Sequence, residues 1–183
     1  GDDDFFIPES LSKCADFLDN NLEYASAQGR ALCFSLDRDG PYGRIEKFGV
    51  YWDKKEFKGV TALDRLQEIS SNYWVPIFSV THINNFILDI GNGVNNVLDR
   101  NFGEYVNTFT IAMRGRSKFI DCLYLVRNTH SRIEHPSYLE WITNEDWHLS
   151  YIELINSTAE VLLRVDKLSK IESNFESKLL VDR

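Results

Sequence analysis

The chain carries four histidines, and none stands in a spacing that catalysis or metal binding would use. His82, His130, His135 and His148 form no HxxxH or HExxH arrangement, and none lies near a cysteine. His130 and His135 flank Glu134 in a loop, a poor basis for tetrahedral zinc, and read as surface residues. Ser35, Asp37 and Asp39, with Gly40 and Glu46, copy part of a calcium loop. Serine at the first position, Pro41 directly after the glycine and flanking strands in place of helices make it a turn instead. Cys14, Cys33 and Cys122 are odd in number and widely spaced, which reads as reduced, buried thiols without a disulfide framework. There is no GxxxxGKS/T, GxGxxG or GxSxG run, and no carboxylate pair in a catalytic setting. No metal, no cofactor and no catalytic residue is therefore expected.

Recognition has better candidates. Gly115-Arg116 reads as a two-residue type II′ loop joining strands at 105–113 and 118–126. That register sets Thr110 opposite Asp121 among apolar neighbours. A carboxylate on a mostly covered face needs a partner. Either Thr110 or solvent supplies it, or the face floors a pocket where Asp121 fixes a polar group of a ligand. Trp52 and Trp74, at the ends of predicted strands, suit a ligand wall. His82 opens a helix after Trp74, Phe78 and Thr81, and Tyr105 begins the hairpin. The expected binding set for a small-molecule ligand is thus Trp52, Trp74, His82, Tyr105, Thr110 and Asp121.

The elements that must position these residues follow from periodicity. Leu11, Cys14, Ala15, Leu18 and Leu22 predict a helix over 9–25, and Gly29 ends that region. Residues 31–36 and 45–52 read as strands about the turn at 37–43, and 61–69 as a short helix. Pro76 makes 73–80 an edge strand or extended segment. Ile83, Phe86, Ile87 and Ile90 predict a helix ended by Gly91 and Gly93. The order predicts an α+β fold with an antiparallel β-sheet flanked by helices.

A final long helix closes the chain. Leu154, Val161, Leu168 and Phe175 recur every seven residues, with Val165, Ile171 and Leu179 beside them and no Gly or Pro after Pro136. A helix of about thirty-five residues runs roughly 50 Å, against a radius of gyration of about 16 Å for a domain of this size. Ile152, Ile155, Ala159 and Leu162 form a stripe that covers the domain's own core and stops at Asp166. The seam Leu154, Val161, Val165, Leu168, Phe175 and Leu179 continues past it and predicts a parallel homodimer through the C-terminal helix.

A length of 183 residues suits one folded unit, and 43% hydrophobic with 13% aromatic residues suits a globular one. A net charge of −8 without a basic stripe excludes a phosphate-backbone partner, so no nucleic acid is expected. No apolar run approaches the roughly 18 residues of a membrane span, so no membrane contact is expected in this segment. The reduced cysteines and the lack of a signal segment point to a cytoplasmic location. With Met113 the sole methionine, the chain reads as an excised fragment.

Taken with NTFTIAMRGRSKFIDCLYLVRN as hairpin and the long closing helix, the order of elements resembles a GAF domain, with related PAS-like architectures. The resemblance implies a sensory domain at 1–145 and a signalling helix at 146–183 that leads to an output domain such as a diguanylate cyclase (GGDEF) or kinase. It implies a non-catalytic bacterial sensor that binds a small ligand or passes a conformational change through a dimeric helix. The alternatives are an autoinducer-binding domain of a transcriptional regulator and a stand-alone small α+β enzyme.

Overall fold

Pro8, with its fixed φ and missing N–H, opens helix α1 (Pro8–Asn20), which buries Ser10, Cys14 and Leu18 at four-residue spacing. The computed structural model describes residues 4–181 apart from 39, 41, 86, 88–96, 98 and 130–136. Residues 83–85 and 87 are helical, as predicted, while the rest of the helix expected over 83–90 and parts of the turn at 37–43 fall outside the described residues, as do His130 and His135. Five strands form one sheet: β1 (Asp4–Phe6), β2 (Tyr24–Leu36), β3 (Ile45–Trp52), β4 (Val80–Thr81) and β5 (Arg116–Asn128). The order is β1-β5-β2-β3, with β4 also on β2. The sheet is mixed, which corrects the antiparallel expectation: β2 and β5 run parallel, from Tyr24 opposite Arg116 to Phe34 opposite Asn128. Parallel strands need a crossover, and helices supply it here.

Helix α2 (Ala62–Ser71) starts at Thr61, whose side chain forms a capping box with Asp64. Helix α3 (Arg100–Arg114) replaces the strand expected at 105–113. Asp99 caps it, accepting from the backbone N–H groups of Asn101 (2.9 Å) and Phe102 (3.0 Å). Phe102, Val106, Phe109 and Met113 follow helical spacing and are buried, but so are Asn107, Thr108 and Thr110. A helix covered nearly all round loses the polar stripe that distinguishes it from a buried strand, and the β-branched and aromatic residues then mislead. Gly115 (φ 175°) is consequently no hairpin residue but an extended joint between α3 and β5.

The closing helix is broken. Helices α4 (Tyr138–Ile142) and α5 (Glu145–Val165) precede α6 (Lys170–Val181). Between the last two, Lys167 takes a left-handed φ of 57°. Asp166 fixes the break, its carboxylate accepting from the N–H groups of Ala62 and Leu63 (2.8 Å each) at the start of α2. Ser169 and Glu172 then cap α6. The expected seam is divided as a result. Leu154 and Val161 are buried with Leu66, Val106, Leu162 and Leu180 in a cluster gathered from α2, α3, α5 and α6. Phe175 and Leu179 remain exposed. A second cluster (Cys14, Leu18, Ala27, Ala31, Trp52, Tyr124 and Leu125) packs α1 against the sheet.

Candidate functional site

Asp99 organises one end of the helical layer. Besides capping α3, its carboxylate accepts from Trp141 Nε1 (3.0 Å), and its own N–H donates to Ser150 Oγ (3.1 Å). These bonds tie α4 and α5 to the start of α3. Around Phe102 the rings of Trp141, Trp147, Tyr105 and Tyr151 gather, with centroids 5.2 to 6.4 Å away. Trp147 and Tyr151, one helical turn apart on α5, lie nearly parallel at 5.1 Å. Beside this cluster a partly open cleft of about 530 Å³ remains, completed by Ser70, Tyr73, Phe109, Leu154, Leu180 and Val181. That volume lies within the range of small-molecule sites.

The polar atoms of the cleft are few. Tyr73 donates to Glu104 Oε1 (2.7 Å). Burial first, then the Glu104 carboxylate, pushes the phenols of Tyr73 and Tyr105 upward, so both keep their protons at neutral pH and serve as donors, not bases. Trp147 Nε1 and Ser70 Oγ are buried and without a hydrogen-bond partner among the described residues.

Of the expected binding residues, only Tyr105 belongs to this cleft. Trp52 is buried, donates through Nε1 to the Gly29 carbonyl (2.9 Å), and packs its ring against Trp74 (5.9 Å) and Phe78 (6.0 Å). Trp74 stacks on Phe57 at 5.0 Å. The two rings thus pack on each other and on Phe57 and Phe78, and Trp74 also lines the edge of a smaller cleft. His82 directly follows β4 and is half-buried. Thr110 sits within α3, its hydroxyl donating to the carbonyls of Val106 (2.8 Å) and Asn107 (3.1 Å), the local bond a buried helical threonine makes. Asp121 lies on β5 with its side chain 85% exposed, 3.5 Å from Arg30. Thr110 and Asp121 therefore do not face each other, because there is no hairpin to pair them. The residues missed were legible at helical spacing: Phe102, Tyr105 and Phe109 follow i, i+3, i+7, and Trp147 and Tyr151 follow i, i+4.

A smaller cleft of about 290 Å³ lies among Lys54, Lys55, Lys58, Glu68, Asn72 and Trp74. Of its cations, Lys58 pairs with Glu56, which also takes Lys118, and Lys55 donates to Asn72. Among the described residues no group of His, Cys, Asp and Glu could hold a metal ion. No helix of the described residues is long and apolar enough to cross a membrane. Comparison of the chain with protein-family models, curated proteins and solved structures returns no match.

Proposed function

We propose that this chain is a non-catalytic regulatory domain in which a small molecule fills the aromatic cleft and thereby sets the position of α6. The observation that carries the reading is that Leu180 and Val181, at the end of α6, form part of the cleft wall. A ligand in contact with them changes the relative stability of α6 positions by its differential affinity for each. Helix α6 is also lightly held. It turns Ser173, Ser177 and, at its end, Leu180 inward and leaves Ile171 (83%), Phe175 (64%) and Leu179 (43%) exposed. Serines bury little apolar area, so docking of this helix is weak for its length.

The outward stripe is the route by which the change leaves the domain. Glu172 and Glu176 lie on one flank of it, Lys170 and Lys178 on the other. Two copies of α6 side by side in parallel set acid against base along both flanks, as the flanking positions of a parallel coiled coil do. The first part of the stretch that suggested the family resemblance, Thr108 to Arg114, is helical, and the cleft and α6 do not depend on that resemblance. The test is a fragment set of neutral, cationic and anionic ring compounds, followed by protein-observed NMR and amide exchange. Saturable shifts at the cleft with altered exchange over 170–181 are expected. A chain that binds none of them saturably, or binds them with 170–181 unchanged, sinks the reading.

A further inference from the structure

We infer that the cleft selects a neutral, flat, ring-bearing molecule with a hydrogen-bond acceptor, and that Trp147 Nε1 is the donor that orients it; this rests on the ligand-binding reading above. The charge preference comes from the walls. They are aromatic and aliphatic, with Ser70 and the phenols of Tyr73, Tyr105 and Tyr151 as side-chain hydroxyls, and among the described residues no carboxylate, ammonium or guanidinium lines them. A phosphate or carboxylate buried there would have no counter-charge. The rival is a quaternary ammonium held by the π-faces. Such a cage needs ring faces free to meet the cation. Here Trp147 and Tyr151 are stacked with an interplanar angle of 8°, each covering a face of the other, and Glu104 at the edge already accepts from Tyr73.

The acceptor requirement comes from Trp147. An indole N–H can only donate. The other tryptophan of the cleft, Trp141, has Asp99 for its Nε1, whereas Nε1 of Trp147 is buried with nothing to receive it. A buried donor left unpaired is a standing penalty that an acceptor-bearing ligand removes once the indole turns to present its N–H to the cleft. Ser70 Oγ, also unpartnered, can answer either an acceptor or a hydroxyl on the same molecule.

Four probes on one ring system separate the possibilities in the intact chain: naphthalene, 2-acetylnaphthalene, 2-naphthoate and trimethyl(2-naphthyl)ammonium. Affinities are read by protein-observed NMR. The expectation is that 2-acetylnaphthalene binds about tenfold tighter than either charged probe and several-fold tighter than naphthalene. The Trp147 indole N–H signal should move downfield with 2-acetylnaphthalene and not with naphthalene. Trp147→Phe, which also assigns that signal, should erase the advantage over naphthalene. The indole signal in the wild-type chain decides the donor role even if that variant folds poorly. A charged probe binding tightest, or the two neutral probes binding equally with no indole shift, overturns the inference and leaves the ligand-binding reading in place. Absence of saturable binding by every probe overturns both.

Discussion

Arg65 is buried at 4% exposure and spends its guanidinium entirely on backbone. Nε donates to the Ala112 carbonyl (2.9 Å), Nη2 to that of Met113, and Nη1 to those of Gly59 and Val60 (2.9 Å each). It thus closes the C-terminal end of α3, where carbonyls lack helical partners. Arg65→Met should cost about 3 kcal/mol or more in urea unfolding, because buried acceptors lose their donors. Arg65→Lys should recover little, since one ammonium cannot reproduce a planar fork. Cys14 is the residue with the clearest pH signature. Burial, then the nearby Cys122, pushes its thiol from 9.0 up to about 12. The folded chain keeps that proton where the unfolded chain releases it, so stability is full below pH about 9 and falls as pH rises towards 12. The limiting slope from this group is about 1.4 kcal/mol per pH unit. Tyr124, whose phenol burial also pushes up, steepens the fall at higher pH. Urea midpoints followed from pH 8 to 11 should drop less steeply in Cys14→Ala than in the wild type; equal slopes would remove the Cys14 contribution.

Among the elements, β2 shows most directly how a glycine is chosen by packing. A Cβ on Gly29 would meet Cys122 O at 2.6 Å, with Cys122 Sγ and Tyr124 Cβ at 2.8 Å, so β5 can lie this close only against a glycine. A Cβ on Gly49, in β3, would meet nothing within 4 Å. Gly29→Ala should lower stability by about 2 kcal/mol or more, and Gly49→Ala should be neutral or slightly stabilising, both read from thermal unfolding. The same glycine reads in sequence as the end of a helical region, because contact with β5 is invisible along the chain. The joint between α5 and α6 makes an opposite pair of predictions. Asp166→Ala removes the acceptor of two N–H groups at the start of α2 and should cost about 1–2 kcal/mol. Lys167→Gly relieves a left-handed φ of 57° and should gain about 0.5–1 kcal/mol. Circular dichroism that stays unchanged in Asp166→Ala, with no loss of midpoint, would deny the carboxylate its role.

At the scale of the whole molecule, the apolar seam of the last thirty residues divides into a buried part and an exposed part. Val161 is 3% exposed, and Val161→Glu should unfold the domain, since a carboxylate there is buried without a partner. Phe175 is 64% exposed, and Phe175→Glu/Leu179→Glu should leave the fold intact while abolishing the association of two copies through α6. Left in water, those side chains forgo roughly 1.5–3 kcal/mol each relative to full burial. Sedimentation at tens of micromolar, with far-ultraviolet circular dichroism on the same samples, separates the two effects. A wild-type chain that sediments as a monomer, or a double variant that still dimerises, rules out α6 as the contact.

Residues 45–52 were legible as a strand from β-branched and aromatic content, and 61–69 as a short helix, because both signals are local. The α+β class and the strand at 118–126, which the structure extends to Arg116–Asn128, were legible on the same grounds. The heptad of Leu154, Val161, Leu168 and Phe175 reads as a seam between two chains, but Leu154 and Val161 lie in the domain's own core, Leu168 packs partly against it and Phe175 is exposed. That depended on Asp166, whose carboxylate meets α2 about a hundred residues earlier in the chain, and no periodicity reports a contact of such separation. Residues 105–113 were misread for a related reason. Strand and helix propensities differ by fractions of a kcal/mol per residue, and burial on nearly every side of α3 outweighs them. The sequence by itself thus determined composition, class and most local elements. The parallel pairing of β2 with β5, the break before α6 and the aromatic cleft were decided by tertiary structure, because each exists only where segments distant in the chain meet.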